Sequence, residues 1–228
     1  MPTSDSWEFN PPIGTLTLNA FARCGVRRTM LTAQHMEDAF LECNLLQADW
    51  SADGIMWWTV ALVQQPCTAG APTYALPKNT VSVLDVYISP NNGQSGQNRL
   101  IMPFSRTDYA SLANPAQQGF PTSFWFDRAL QPTITLWPVP DAATQYLLSY
   151  YIYTQTEDAV LHQGKNAAIP YWWLNAYTAD LAHRLSRIYA PALELQRKAD
   201  RDEAYQRASK QVEPAPMYIQ PGLAGYFR

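Results

Sequence analysis

Histidines are the first residues to test for chemistry, because imidazole is the side chain that exchanges a proton near neutral pH. The chain contains His35, His162 and His183. Asp180 precedes His183 by three residues, so a helix would place the two side chains on one face. A metal site needs a third and a fourth ligand within reach, and no companion motif accompanies this pair. We therefore predict no metal site.

Motifs for nucleophilic catalysis and for nucleotide binding are missing from the sequence. The chain contains no GxSxG setting for a serine nucleophile, no GxxxxGK[ST] phosphate loop and no GxGxxG turn. The run Gly-Gln-Ser-Gly at 93–96 lacks the lysine and the following helix of a phosphate loop, so we predict a flexible hairpin tip. No catalytic residue and no cofactor are predicted.

Carboxylates and aromatic residues leave one alternative class open. Glu37, Glu42 and Asp49 lie on or near one predicted helix, and a glycoside hydrolase needs two carboxyl groups that flank the sugar. Spacing along one helix does not provide a cleft, and Glu37 and Glu42 fall mostly opposite its apolar stripe. Four aromatic residues could instead form a sugar-binding platform on a sheet: Trp125, Trp137, Tyr150 and Tyr151. The alternative hypothesis is therefore a peptidoglycan-active or carbohydrate-binding protein.

The composition favours a protein that buries surface against partners. The 228 residues are 47% hydrophobic and 13% aromatic, and only 15% are charged, whereas about a quarter are charged in typical soluble domains. Tyr and Trp are enriched at interfaces because each combines a broad apolar face with one polar group. The alternative for any single aromatic residue is that it fills the core of a β-sheet instead of an interface. The formal net charge of −3 does not favour gripping a nucleic acid backbone.

Cysteine usage and the chain termini bear on the compartment. Cys24, Cys43 and Cys67 form no CxxC pair, and the first two fall on apolar helical faces. We therefore predict buried free thiols, as in a reducing cytoplasm. Residues 1–12 lack the apolar core of a signal peptide, and no apolar run approaches the length of a membrane span. We expect a soluble protein with no membrane partner.

Helical periodicity occurs near both ends of the sequence. One helix is predicted to end at Gly25, and a second to begin with Thr32 as its N-cap. Two more are predicted to begin near Pro170 and Pro191, and the last of them, with Arg197 on its exposed face, to run to about Gln211. The predicted apolar faces are Leu16, Ala20, Phe21 and Cys24; Met36, Ala39, Phe40, Cys43, Leu46 and Trp50; Trp173, Ala176, Tyr177, Leu181, Leu185 and Ile188; and Leu193, Leu195, Ala199 and Tyr205.

The middle third, from Trp57 to Tyr153, loses this period. Short β-prone runs alternate there with Pro, Gly and Asn, and their close spacing favours antiparallel pairing. One helical interruption is predicted between Ser105 and Leu112. The predicted strands are Val81 to Ile88, Thr122 to Phe126, Thr133 to Trp137 and Tyr146 to Tyr153.

These elements predict an α+β protein with a discontinuous organisation. Residues 13–54 and 165–211 would form one helical bundle, because each amphipathic helix needs a partner for its apolar stripe. Residues 55–155 would form an inserted antiparallel β-sheet or small sandwich. Residues 212–228 contain three prolines and many large apolar side chains, which predicts an extended C-terminal tail that docks on a partner or folds back on its own subunit. The predicted partner-binding residues are Met217, Tyr218, Ile219, Leu223, Tyr226, Phe227 and Arg228.

Between Thr15 and Tyr189, a series of motifs resembles the phage head-to-tail adaptors known as tail accessory factors or tail tubular protein A in short-tailed phages. The order and spacing of the motifs carry the resemblance. The motifs are Glu37-Asp38-Ala39, Asn44, Asp49-Trp50-Ser51-Ala52-Asp53-Gly54, Tyr74-x-Leu76-Pro77, Val83-Leu84-Asp85-Val86, Pro103-x-Ser105-Arg106-x-Asp108-Tyr109-Ala110, Gly119-x-Pro121-Thr122, Phe126-Asp127-Arg128, Pro132-x-Ile134-x-Leu136-Trp137-Pro138-x-Pro140 and the aromatic strand around Tyr150.

The resemblance implies a structural virion protein rather than an enzyme. It implies a homo-oligomeric ring, commonly of twelve subunits, that docks beneath the portal protein at the head–tail junction after assembly in the host cytoplasm. Such a ring extends the channel through which double-stranded DNA passes without sequence-specific binding. It also forms the platform for a tail tube, nozzle or needle protein. Some members of this group have been linked to cell-wall hydrolysis, so the resemblance does not remove the glycan alternative.

Overall fold

The computed structural model describes residues 9–94, 96–161 and 164–210, and the chain divides into two compact units. One unit comprises Met1–Leu46 together with Ala159–Arg228, and the other comprises Gln47–Asp158. Within the described residues, the first unit is helical and the second consists mainly of strands. The predicted α+β class is therefore confirmed, with helices from both ends of the sequence and strands from the middle.

Five α-helices lie in the described part of the chain. They are α1 (Ile13–Arg23), α2 (Ala33–Ala52), α3 (Arg106–Ala110), α4 (Leu174–Tyr189) and α5 (Glu194–Ser209). Beyond α1, Gly25 has a φ of 80°, a left-handed conformation that glycine adopts without steric cost. Helix α2 begins directly after Thr32, as predicted. Helix α3 carries a capping box in which Ser105 and Asp108 each bond the other's backbone N–H.

Helix α4 forms the centre of the helical unit. Its side chains are buried along almost its whole length, including Tyr177, Leu181 and Leu185. Helices α1 and α5 pack against it, and α2 contacts it through an ion pair between Glu42 and Arg184. The predicted apolar face of α1 is buried, and so is that of α4 except for Ile188 at its C-terminal end.

Two predicted helical faces need correction. In α2, Ala39, Cys43 and Leu46 are buried as predicted, but Phe40 is 46% exposed. In α5, Leu195 is 82% exposed and Ala199 is exposed as well, whereas two small residues, Ala204 and Ala208, are buried.

The charged residues of α5 explain part of this difference. Arg197, predicted on the exposed face, has only 15% of its side chain exposed. A long basic side chain can lay its aliphatic stem along a neighbouring helix while its charged end reaches polar groups. Helix α5 therefore packs through alanines and the stem of Arg197, and Leu195 lies on its outer side.

The described residues between 60 and 154 form ten strands. They are β1 (Val60–Pro66), β2 (Thr73–Ala75), β3 (Thr80–Pro90), β4 (Arg99–Leu100), β5 (Met102–Pro103), β6 (Gln118–Gly119), β7 (Ser123–Asp127), β8 (Thr133–Trp137), β9 (Val139–Pro140) and β10 (Tyr146–Thr154). One sheet has the order β1-β10-β3-β4 and another the order β2-β8-β7-β5, while β6 and β9 form a separate pair. The four strands predicted from sequence correspond to β3, β7, β8 and β10.

Alternation along the strands directs one face of each four-stranded sheet into a shared core. Val86, Leu148 and Ile152 come from the first sheet, and Phe124 and Leu136 from the second, and all five belong to one buried cluster. Side chains of a strand alternate between its two faces. The residues that alternate with these core residues therefore lie on the outer faces of the two sheets. The β unit is therefore a small sandwich.

The expectation of antiparallel pairing holds for the long strands and is wrong for two short pairs. Strands β5 and β7 pair in parallel, as do β6 and β9. Parallel neighbours need a connection of a dozen or more residues. The chain between β5 and β7 includes α3, and the chain between β6 and β9 includes the β7–β8 hairpin, so both connections are long enough.

Candidate interaction surfaces

Asp180 and His183 are both buried in α4, where Asp180 forms an ion pair and His183 lies beside a carboxylate. Asp180 Oδ1 lies 3.7 Å from Arg184 Nε, and His183 Nε2 lies 4.0 Å from Glu194 Oε1. Burial and the nearby Arg187 lower the pKa of His183, which favours the neutral imidazole. Among the residues that the structure describes, no group of three or more His, Cys, Asp or Glu could hold a metal ion.

Glu37 and Glu42, two of the three carboxylates of the glycan alternative, do not face each other. Glu42 Oε2 lies 3.7 Å from Arg184 Nη1, whereas Glu37 is exposed. Five residues along an α-helix correspond to a rotation of about 140°, so these two carboxylates point in different directions. A pair of carboxyl groups on either side of one sugar is not formed by Glu37 and Glu42.

The four aromatic residues of the proposed sugar platform are dispersed. Tyr150 is buried in the core of the sandwich. The Trp125 ring stacks on Tyr109 with 5.6 Å between ring centroids, and Trp137 Nε1 donates to the Asn114 carbonyl at 3.2 Å. The exposed Tyr151 lies on β10, in a different sheet from both tryptophans. The structure does not assemble these side chains into one flat surface.

The predicted docking residues from Met217 to Arg228 lie outside the described residues. Their role as partner-binding residues stays a prediction. The described chain ends at Lys210, directly after α5.

The outer side of α2 carries an apolar strip flanked by acidic residues. We define the α2 strip as Gln34, Glu37, Leu41 and Leu45, which follow one another at spacings of three and four and so share a face. Leu41 is 57% exposed and Leu45 is 45% exposed. The twenty residues of α2 include four acidic residues and no Lys or Arg. The strip therefore combines uncovered leucine side chains with negative charge.

A cleft rich in arginine lies among α1, α4 and α5. We define the arginine cleft as the depression of about 260 Å³ lined by eight residues. They are Arg23, Asn175, Ala179, Arg197, Asp200, Glu203, Ala204 and Arg207.

Each guanidinium in this cleft has a polar neighbour, but one donor is left over. Arg23 donates to Asn175 Oδ1 at 3.0 Å, Arg197 Nη1 lies 3.0 Å from Asp200 Oδ2, and Arg207 bonds Glu203. Burial and the adjacent Arg197 charge lower the pKa of Arg23. The Arg197 Nε atom is buried and makes no hydrogen bond to any described residue. The cleft thus holds three positive and two negative groups and an unsatisfied donor.

A second uncovered apolar area lies on the outer face of the sheet that contains β10. Leu62 on β1 is directly opposite Tyr151 on β10, and both side chains are more than a third exposed. The Tyr87 ring lies 6.4 Å from that of Tyr151, and Leu100, opposite Tyr87 on β4, is exposed too. Exposed apolar patches of this kind mark interaction sites on many soluble proteins.

All three cysteines are free; Cys24 and Cys43 are buried, as predicted, and Cys67 is partly exposed. Burial raises the pKa of Cys24 and Cys67 to about 11.

Among the described residues, no helix combines the length and the hydrophobicity that crossing a membrane requires.

Sequence reasoning missed both surfaces of the helical unit. Leu41 and Leu45 fell outside the predicted stripe of α2, and their spacing of four residues was the one available signal. Arg23 and Arg197 are far apart in sequence, so nothing in the sequence indicated that their side chains meet. Only the packing of α5 beside α1 and α4 forms the arginine cleft.

Uncovered leucine and tyrosine side chains on both units are typical of proteins that work through contacts with other proteins. A family model described as SU10 adaptor protein matches residues 20–221. Because the match covers most of the chain, the chain belongs to the SU10 adaptor protein family, and the predicted phage head-to-tail adaptor is confirmed. No sequence among the curated proteins matches the chain significantly.

Membership of the SU10 adaptor protein family establishes the general function of the chain. The chain is a structural adaptor protein of a bacteriophage. Membership also implies association with portal and tail proteins in the virion, at the junction of head and tail.

Proposed function

We propose that copies of this chain form a closed ring between the portal protein and the tail, and that the ring extends the channel for double-stranded DNA. The family match over residues 20–221 carries this proposal. A ring of identical subunits joined head to tail needs two different surfaces on each subunit. The α2 strip and the arginine cleft are two different exposed surfaces of the helical unit, which supports the ring. Twelve subunits are proposed from the resemblance.

The weak net charge supports a channel through which DNA slides. A protein that grips the DNA backbone places many Lys and Arg side chains against phosphates. This chain has 16 basic and 19 acidic residues, so its net charge offers no general attraction. We propose that the DNA passes without sequence-specific contacts.

The C-terminal residues after Val212 are proposed to dock on the portal or on a neighbouring subunit. Deleting residues 213–228 should then abolish the joining of tails to DNA-filled heads while the helical and β units stay folded. Counting tailed particles by electron microscopy, with far-UV circular dichroism of the purified variant as the folding control, measures both effects. Normal tail attachment by the truncated chain would remove the proposed role of these residues.

Electron microscopy of the chain in place on particles tests the ring itself. The expected density is a ring between portal and tail with a central channel. The glycan alternative is tested separately by incubating the purified chain with peptidoglycan, beside Glu37→Gln and Glu42→Gln variants. Hydrolysis that the variants lose, together with particles that lack the chain at the junction, would overturn the adaptor proposal.

A further inference from the structure

The helical unit carries opposite charge on two of its surfaces. No Lys or Arg occurs between Arg28 and Lys78. Neither α2 nor the chain that directly follows it therefore contains a basic residue. Three of the basic residues of the chain meet instead in the arginine cleft. Complementary surface charge of this kind directs association and fixes its orientation more than it adds affinity.

One subunit does not fill its own cleft with its own strip. Helix α4 contacts α2 through Arg184 and Glu42, and it lines the cleft with Asn175 and Ala179. Helix α4 thus lies between the helix that carries the strip and the helix that forms the outer wall of the cleft. The strip also faces away from the side of α2 that buries Cys43 and Leu46. Any contact between strip and cleft therefore joins two molecules.

The chemistry of the cleft fits an acidic, leucine-bearing helix. Arg23 donates to two neutral amides, those of Asn19 and Asn175, and a carboxylate is a stronger acceptor for a guanidinium. Ala179 and Ala204 line the cleft but are only 2% and 7% exposed, so the leucine side chains of a docked helix would lie at its rim. Arg207 is largely exposed and can reach a carboxylate at the rim.

Two acidic residues within the cleft favour a protein over DNA as its occupant. Asp200 lies 3.0 Å from Arg197, and Glu203 bonds Arg207. These carboxylates would repel the phosphates of a DNA backbone. A helix face that combines two leucines with a single carboxylate, as the α2 strip does, meets less repulsion than a DNA backbone.

We propose that the α2 strip of one copy docks in the arginine cleft of the next copy, with Glu37 facing the guanidiniums and Leu41 and Leu45 packing at the rim. The contact is heterologous, since two different surfaces meet, and repetition of the same rotation closes a ring. This inference rests on the proposed ring and names the surfaces that form it.

Cysteine cross-linking in particles tests the contact directly. In a Cys67→Ser background, Leu45→Cys combined with Arg207→Cys should give a ladder of linked subunits after treatment of particles with a short bis-maleimide. Neither single variant should give the ladder, because Cys24 and Cys43 are buried. Dimers from Leu45→Cys alone would show that α2 strips meet each other, and the proposal would be wrong.

The same experiment separates this inference from the proposed function. If the double variant enters particles at the head–tail junction and gives no ladder, the adaptor function stands and the strip–cleft contact fails. If neither the variants nor the unmodified chain is found at that junction, the proposed function fails and the inference fails with it.

Charge reversal gives a second, independent test. Glu37→Arg and Arg207→Glu should each lower incorporation into particles about tenfold or more, which corresponds to at least about 1.4 kcal/mol, and the double variant should recover most of it. Arg106→Glu and Leu130→Asp, both at exposed positions of the β unit, are matched controls that should incorporate normally. No recovery in the double variant, or loss of double-stranded DNA binding by purified Arg207→Glu as its main defect, would overturn the proposal.

Discussion

Leu45 and Leu46 are adjacent in α2, and we expect their replacement by alanine to affect two different equilibria. Leu46 is 0% exposed, whereas Leu45 is 45% exposed. Both belong to the helical unit, and alanine has a high helix propensity at either position. Any difference between the two variants therefore comes from what each side chain contacts.

The expected loss of stability follows from this burial. Replacing a fully buried leucine by alanine costs about 3 kcal/mol, within a range of about 2–5 kcal/mol, because transfer free energy is lost and a cavity remains. Full burial of a leucine side chain contributes about 2 kcal/mol, and Leu45 buries little more than half of its surface. Leu45→Ala should therefore lower the free energy of unfolding of the subunit by only about 1 kcal/mol.

Assembly should show the reverse order. Loss of the Leu45 side chain from the strip–cleft contact should weaken each contact by about 1–2 kcal/mol, which is roughly 5-fold to 30-fold in its dissociation constant. Leu46→Ala, measured at a temperature where it is folded, should leave that contact unchanged.

Urea titration followed by circular dichroism measures the stability of each variant, and incorporation into particles measures assembly. Equal destabilisation by the two variants would mean that Leu45 is covered within the subunit. Normal incorporation of Leu45→Ala would show that the α2 strip is not an interface. Either result refutes the reasoning from exposure.

Three further predictions concern the interior of the helical unit. Gly14→Ala should lower the free energy of unfolding by about 1–3 kcal/mol in urea titration, although alanine favours helix, because a Cβ there would lie 2.5 Å from the Leu161 carbonyl oxygen. Burial lowers the pKa of His183, so the unfolded chain binds a proton that the folded chain does not; stability should fall as the pH drops below about 6.5, and His183→Gln should reduce this slope in urea titrations at several pH values. Tyr189→Phe should cost about 1 kcal/mol because the Tyr189 hydroxyl donates to the Asp38 carboxylate; in ultraviolet titration, one tyrosine fewer should titrate near pH 12, where Tyr150 and Tyr189 both titrate in the unmodified chain.

Long-range pairing explains one element that the sequence did not predict. Strand β1 pairs along its length with β10, and Val60 is opposite Tyr153. Its residues show no alternation of apolar and polar side chains, because it is an edge strand with most positions at least partly exposed. A strand of this kind is fixed by hydrogen bonds to a distant segment, which local patterns do not encode.

The sequence by itself determined the helices at both ends, the four main strands and the family resemblance. Those features depend on local periodicity and on motif order, which are properties of the chain alone. The tertiary structure decided which side of α5 is buried, because a face is apolar only relative to the helix it meets. It also decided that Arg23 and Arg197 share a cleft and that Leu41 and Leu45 stay uncovered. Surfaces for other molecules are what packing leaves over, so they are defined only when the packing is known.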